Sequence, residues 1–169
     1  MGSQAVEQTV RRTMRLRVSV ERAFAVFTQE MGRWWPIENT FSGVALGQAG
    51  IFDTVVMEPR AGGRWFERTT AGEEIDWGRV VAFEPPRRLV LTWQITPQGQ
   101  PEPDAARASD VEIRLVPVEP AVTEVQLEHR QFERHGPEGA AIWRKAMDSR
   151  DGWDKFLDRF AIATTPDGT

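Results

Sequence analysis

Between positions 6 and 18 the even places are mostly apolar, with Val6, Val10, Met14, Leu16 and Val18, while Arg11, Thr13, Arg15 and Arg17 occupy odd ones. An alternation of period two predicts a strand with one wet face. Ser19 stands where a helix N-cap belongs. Ala23, Phe24, Phe27 and Met31 follow at helical spacing, with Gly32 closing the helix and Trp34-Trp35-Pro36 forming a bulky corner. Residues 38–50 carry little pattern. Strands are then expected at 54–58, 63–69, 75–83 and 88–95, the last two joined by a Glu84-Pro85-Pro86 turn. The proline-bearing stretch 97–110 reads as a long surface loop with a helical portion at 104–108. Val111, Ile113 and Leu115, then Val125, Leu127 and His129, alternate with mostly polar neighbours in two further strands. Trp143, Ala146, Trp153, Phe156, Leu157 and Phe160 share a helical face over 137–162. Pro137 suits a first turn, and Gly152 marks a break or kink.

Consecutive strands pair as a meander, and a strongly twisted sheet of this size curls. The expected class is therefore α+β, a curved antiparallel sheet of about seven strands wrapped around a long C-terminal helix. A chain of 169 residues suits one domain. Its core is expected at about 10–162, with flexible tails at 1–5 and 164–169. Such a shape encloses a cavity.

Composition narrows what the cavity serves. A net charge of -4 gives no bulk attraction to nucleic acid or to anionic membranes. The arginines at 11, 12, 15 and 17 are expected to pair with Glu124 and Glu128, because the first and last strands of such a sheet are neighbours. There is no cysteine, and the N-terminus lacks the basic and apolar regions of a signal peptide. A cytoplasmic protein is expected. Seven tryptophans without a tyrosine supply large flat rings for a core or a ligand wall.

Strand phase selects the candidates. His129 shares its phase with Leu127 and points inward, as Trp93 does with Leu91. Glu67 shares a face with Trp65, where an inward carboxylate beside an indole would be desolvated. The competing face carries Arg64, Phe66 and Arg68. Trp77 precedes Gly78, a place for a bulge, and Asp76 reads as a turn residue at the strand start. Trp153 enters from the helix. The ligand wall is thus expected to include Trp65, Glu67, Trp77, Leu91, Trp93, Leu127, His129 and Trp153. For an enzyme, His129 with Glu67 is the acid–base pair available. His129 and His135 are six apart with no HExxH, so no metal site is expected. No GxSxG elbow and no phosphate loop occurs, and no cofactor is expected.

Five segments, SVERAFAVFTQEMGRWWP, EPRAGGRWFER, DWGRVVAFEPPRRLVLTW, EHRQFERHG and DGWDKFLDRF, occur in this order. With them the chain, from about Val10 to Ala161, resembles bacterial stand-alone members of the family named after the activator of heat-shock-protein-90 ATPase. That family lies within the SRPBCC (START-like) superfamily. The resemblance implies a helix-grip fold with an interior cavity for an apolar or amphipathic small molecule. Relatives often carry a histidine where this chain has Gln131, which counts against a histidine cluster. The family name implies chaperone activation, an activity of two-domain eukaryotic members that is not carried over here. The leading expectation is a non-catalytic carrier or sensor of a small hydrophobic molecule. The alternatives are a cyclase or dehydratase acting on an aromatic or polyketide-like substrate through His129 and Glu67, and an ATPase-stimulating cochaperone. A chaperone and a second copy of the chain remain as weaker partners.

Overall fold

The structure is a computed structural model that describes residues 8–48 and 50–165. Seven strands form one antiparallel sheet: β1 (Val10–Leu16), β2 (Phe52–Met57), β3 (Arg64–Thr69), β4 (Glu74–Glu84), β5 (Arg88–Trp93), β6 (Ser109–Glu119) and β7 (Val122–Arg130). Their order across the sheet is β1-β7-β6-β5-β4-β3-β2. The strands after β1 form a meander, and β1 lies at the edge beside β7. The helices are α1 (Val20–Gln29), α2 (Met31–Trp34), α3 (Ser42–Leu46), α4 (Pro137–Met147) and α5 (Lys155–Thr164). This is the helix-grip α+β architecture that the alternation predicts. Val6 lies outside the described residues.

Local chemistry sets the element ends. The Ser19 hydroxyl accepts the Arg22 N–H at 3.1 Å and caps α1. The helix ends before Glu30 (φ -119°, ψ 21°), not at Gly32, which lies inside α2. The cause is tertiary: the Trp34 indole folds back to donate to the Val26 carbonyl at 3.0 Å, so the chain must turn within a few residues. Asp76 is likewise not a turn residue. It lies within β4 on the outer face, 2.9 Å from Arg64. Trp65 pairs with Gly78 and Phe66 with Asp76, leaving Trp77 as the extra residue of a β-bulge. A side chain at 78 could not be accommodated, since its Cβ would sit 1.9 Å from the Thr92 carbonyl oxygen.

The two faces of the sheet differ in kind. Leu89, Leu91, Trp93, Val111, Ile113, Leu115, Val125 and Leu127 join α1 and α5 in one core. On the other face, Arg11 stands opposite Glu128 and Arg15 opposite Glu124, each pair at 3.5 Å. Arg12 departs from this pattern and reaches Asp154 at 2.6 Å and Asp148 at 2.9 Å, beside the helix break. Glu112 binds Arg88 at 2.6 Å and Arg114 at 2.9 Å. Glu112 is buried beneath its arginines, whereas the exposed Arg11–Glu128 and Arg15–Glu124 pairs contribute only about 0–1 kcal/mol each. The contacts between this sheet and α1 and α5 belong to the apolar core.

The C-terminal helical region is divided where the sequence places Gly152 (φ -100°, ψ -127°). A Cβ there would lie 2.4 Å from the Ala146 carbonyl oxygen, so the two helix ends can approach this closely only over glycine. Beyond the break, Phe160 packs edge-on to Phe27 at 5.2 Å and against Trp34 at 5.4 Å. Thr164, expected to begin the tail, ends α5 and is buried. Phe160→Ala should cost about 3–5 kcal/mol in urea unfolding. A loss under about 0.5 kcal/mol, the range of surface positions, would contradict this packing.

Candidate functional site

Seven indoles meet between the concave face of the sheet and the helices. Trp93 lies near the centre, with ring centroids of Trp65 at 5.8 Å, Trp77 at 6.4 Å, Trp35 at 6.2 Å and Trp143 at 5.3 Å. Tilted and edge-on pairs dominate, as aromatic quadrupoles prefer. Six of the seven indole N–H groups have a partner. Trp34 and Trp35 donate to the carbonyls of Val26 and Asn39, Trp143 to that of Ile95, and Trp65 to Met31 Sδ. Trp77 donates to Glu67 and Trp153 to His129. Trp93 Nε1 is buried and has none.

Glu67 is fully buried beside Trp65, on the inward face as expected. Neither Arg64 nor Arg79 is its partner. Its Oε1 accepts the Phe41 N–H at 2.8 Å and the Trp77 indole at 3.2 Å, and Oε2 accepts the Ser42 N–H at 3.1 Å. The carboxylate thus receives the free backbone donors at the start of α3, the place where negative charge suits a helix. This tether explains why residues without apolar periodicity fold here. The segment from the 3-10 turn Ile37–Asn39 through α3 is held over the sheet by a side chain some 25 residues away.

His129 is also fully buried, and its partners define its protonation. An indole can only donate. Trp153 Nε1–H, at 3.1 Å, therefore requires a bare Nδ1 on His129. The remaining proton sits on Nε2 and is donated to Ser109 Oγ at 2.7 Å. The hydroxyl in turn donates to His135 Nε2 at 2.8 Å, which also accepts the Ser109 N–H at 3.3 Å. Burial pushes His129 well below the ordinary imidazole value, and neighbouring His135 adds to the effect. Burial lowers His135 to about 4, with Glu102 opposing and Arg107 assisting. Both rings are neutral near pH 7, and Phe132 stacks on His129 at 4.3 Å. The relation between Ser109 and the two histidines was not legible in the sequence, because it joins the start of β6 to a 3-10 turn, Phe132–His135, after β7.

The open space lies beside this cluster. A cleft of about 390 Å³ runs between the α3 segment, the loop after β5 and the α4–α5 break. Phe41, Trp93, Trp143 and Phe156 contribute its rings, Asn39 and Gly99 part of its rim, and Glu38 and Asp151 its carboxylates. Among the residues expected to line the wall, Trp93 faces this cleft. Trp65, Trp77, Trp153, Leu91 and Leu127 pack behind it, as do Glu67 and His129. Glu67 and His129 share no hydrogen bond. Trp77 and Trp93 connect them, with Trp93 6.0 Å from His129. Asn39 and Phe41 escaped notice because their segment has no period. Among the described residues, no group of three His, Asp or Glu side chains is placed to hold a metal ion, and no helix is long and apolar enough to cross a membrane.

The family model for activator of Hsp90 ATPase homolog 1-like proteins matches residues 17–164. The chain belongs to this family. Among solved structures, this family member is similar to Txn09, an anthrahydroquino-γ-pyrone synthase complexed with SUM. The identity is 36%, the TM-score 0.62, and the match covers 90% of this chain and 94% of that one. It is also similar to CalC, a self-sacrificing resistance protein from Micromonospora echinospora, at 26% identity and TM-score 0.65, over 95% and 96% of the two chains. Protein NE0264 from Nitrosomonas europaea shares the fold at 13% identity and TM-score 0.62, over 94% and 95%. No curated protein matches the sequence.

The histidine chain has a consequence for stability. An unfolded histidine titrates near 6.5, and both folded values lie below it. Between those values the unfolded state binds more protons, so stability is full above about pH 6.5 and falls as pH drops toward 4. Each histidine contributes a slope of at most about 1.4 kcal/mol per pH unit in this window. Urea unfolding at pH 7, 6 and 5 should show the decline, and His135→Gln should flatten it. An unaltered slope in that variant would show that His135 has no part in it.

Proposed function

We propose that this protein binds a planar, apolar or amphipathic small molecule in the cleft walled by Phe41, Trp93, Trp143 and Phe156, as a carrier or sensor without chemistry of its own. The observation that carries this reading is the cleft itself. Its volume of about 390 Å³ falls within the range of small-molecule sites, roughly 300–1,000 Å³. Four aromatic rings line it together with Val44, Pro97 and Met147, which suits apolar burial of a ligand. Glu38, Asn39, Thr40, Gln98, Ser149 and Asp151 add polar groups that suit an amphipathic one. The likeness to Txn09, a protein whose name describes a fused aromatic product, supports a polycyclic ligand class.

The same likeness favours a second reading, a cyclase-like enzyme on this fold. General acid–base catalysis needs a titratable group within hydrogen-bond reach of the substrate. His129 and Glu67 are occupied by their own partners and packed behind the cleft wall. This arrangement supports binding over a His129–Glu67 reaction. The carboxylates that face the space are Glu38 and Asp151.

Titration with 1-aminoanthracene should quench tryptophan fluorescence to saturation. Phe41→Ala should weaken binding about 3–10-fold, the equivalent of one aromatic contact of about 0.5–1.5 kcal/mol. His129→Ala should weaken it less. The absence of saturable quenching would overturn the reading. Turnover of a polycyclic substrate that falls by about 10²-fold or more in His129→Ala would establish the catalytic alternative.

A further inference from the structure

Three buried side-chain polar atoms among the described residues lack a hydrogen-bond partner: Trp93 Nε1, Asn39 Oδ1 and Gln131 Oε1. Trp93 and Asn39 both line the aromatic cleft, and Gln131 does not. A buried polar group without a partner is costly, about 1–3 kcal/mol. The fold avoids that cost at the other six indoles, even drawing Met31 Sδ to Trp65. The exception falls at Trp93, near the centre of the cluster and one of the two tryptophans that line the cleft, although it is only 1% exposed. One unpartnered atom is a donor and the other an acceptor, on two residues that line one cleft. The rings of Phe41, Trp93, Trp143 and Phe156 line the same cleft, and those of Phe41, Trp93 and Trp143 stand nearly perpendicular to one another.

Resting on the proposed binding role, we infer that the cleft recognises a planar aromatic ketone that also carries a hydroxyl group. Its carbonyl oxygen accepts the Trp93 Nε1–H, and its hydroxyl donates to Asn39 Oδ1. Contact with the cleft rings, face-on to one and edge-on to another, supplies affinity, while these two polar atoms select among flat molecules of equal size. A polycyclic hydrocarbon satisfies neither and leaves the indole N–H buried without a partner. A site built to pair a polar group rejects the analogue lacking it for this reason.

Xanthene and xanthone are matched probes, differing by a CH₂ against a carbonyl. The intact protein should bind xanthone about three- to tenfold more tightly, the value of one net hydrogen bond. Trp93→Phe keeps a ring and removes the N–H, and it should bind the two probes equally. Among monohydroxyxanthones, the tightest isomer should exceed xanthone by a similar factor and lose that advantage in Asn39→Ala. If neither xanthene nor xanthone binds the intact protein, the underlying binding role fails. If both bind equally, or the preference survives in Trp93→Phe, the ketone assignment fails while the binding role stands. If no hydroxyl isomer gains, or the gain survives in Asn39→Ala, the hydroxyl assignment fails. Should Trp93→Phe not fold, the ¹⁵N-labelled intact protein provides a direct check. The Trp93 indole N–H resonance should move downfield with saturating xanthone and not with xanthene, and an unmoved resonance overturns the ketone contact.

Discussion

The buried carboxylate of Glu67 is the constraint on which the site depends. A charge taken from water must be repaid by hydrogen bonds, and this one is met by two backbone N–H groups and one indole. Those partners come from two places. Trp77 sits on the β-bulge of the neighbouring strand, and Phe41 and Ser42 start a short helix that lacks the apolar stripe to dock by itself. One side chain therefore fixes the indole at the sheet face and the segment that forms a wall of the cleft. Removing either set would leave the carboxylate under-satisfied, so the parts hold one another in place.

A second buried polar system does the same at the other side of Trp93. Trp153, His129, Ser109 and His135 form a directional chain whose proton positions follow from the indole's inability to accept. It pins the break segment before α5, β6, β7 and the turn after β7 to one another. Networks of this kind favour a single arrangement when every member is satisfied. Between the two systems lie aromatic rings of the apolar core, and the exposed ion pairs on the outer face add little.

The helix break at Gly152 links fold to site. A continuous helix would run past the sheet as a smooth cylinder. The close approach of residue 152 to the Ala146 carbonyl turns the chain and leaves a notch, in which Gly152 and Phe156 face Phe41 and Trp93. Arg12 bridges to Asp148 and Asp154 on either side of the break and steadies it from β1. The cleft is thus a consequence of how the gripped helix is interrupted, while the space deeper under the sheet is filled by indoles.

Periodicity and residue type by themselves determined the class of fold, the seven strands, the N-cap at Ser19, the break at Gly152 and the inward phase of Trp93, Leu127 and His129. On β3 they left the Trp65–Glu67 face in competition with that of Arg64, Phe66 and Arg68. These follow from local chain geometry, in which a two-residue or a 3.6-residue repeat assigns each side chain to a face. Tertiary structure alone decided what those inward groups touch. Glu67 meets backbone N–H groups, which carry no side-chain signature, and His129 meets a serine from another strand. The end of the first helix at Gln29 and the place of Asp76 inside β4 depended on the Trp34 indole and on Arg64. The cleft draws on Phe41, Trp93, Gly99, Trp143 and Phe156, spread over more than a hundred residues. Phase in the sequence orients Trp93, Trp143 and Phe156, but Phe41 and Gly99 lie in segments without a period. Only the packed chain determines which of them leave room between them, because packing depends on the shapes of all neighbours at once.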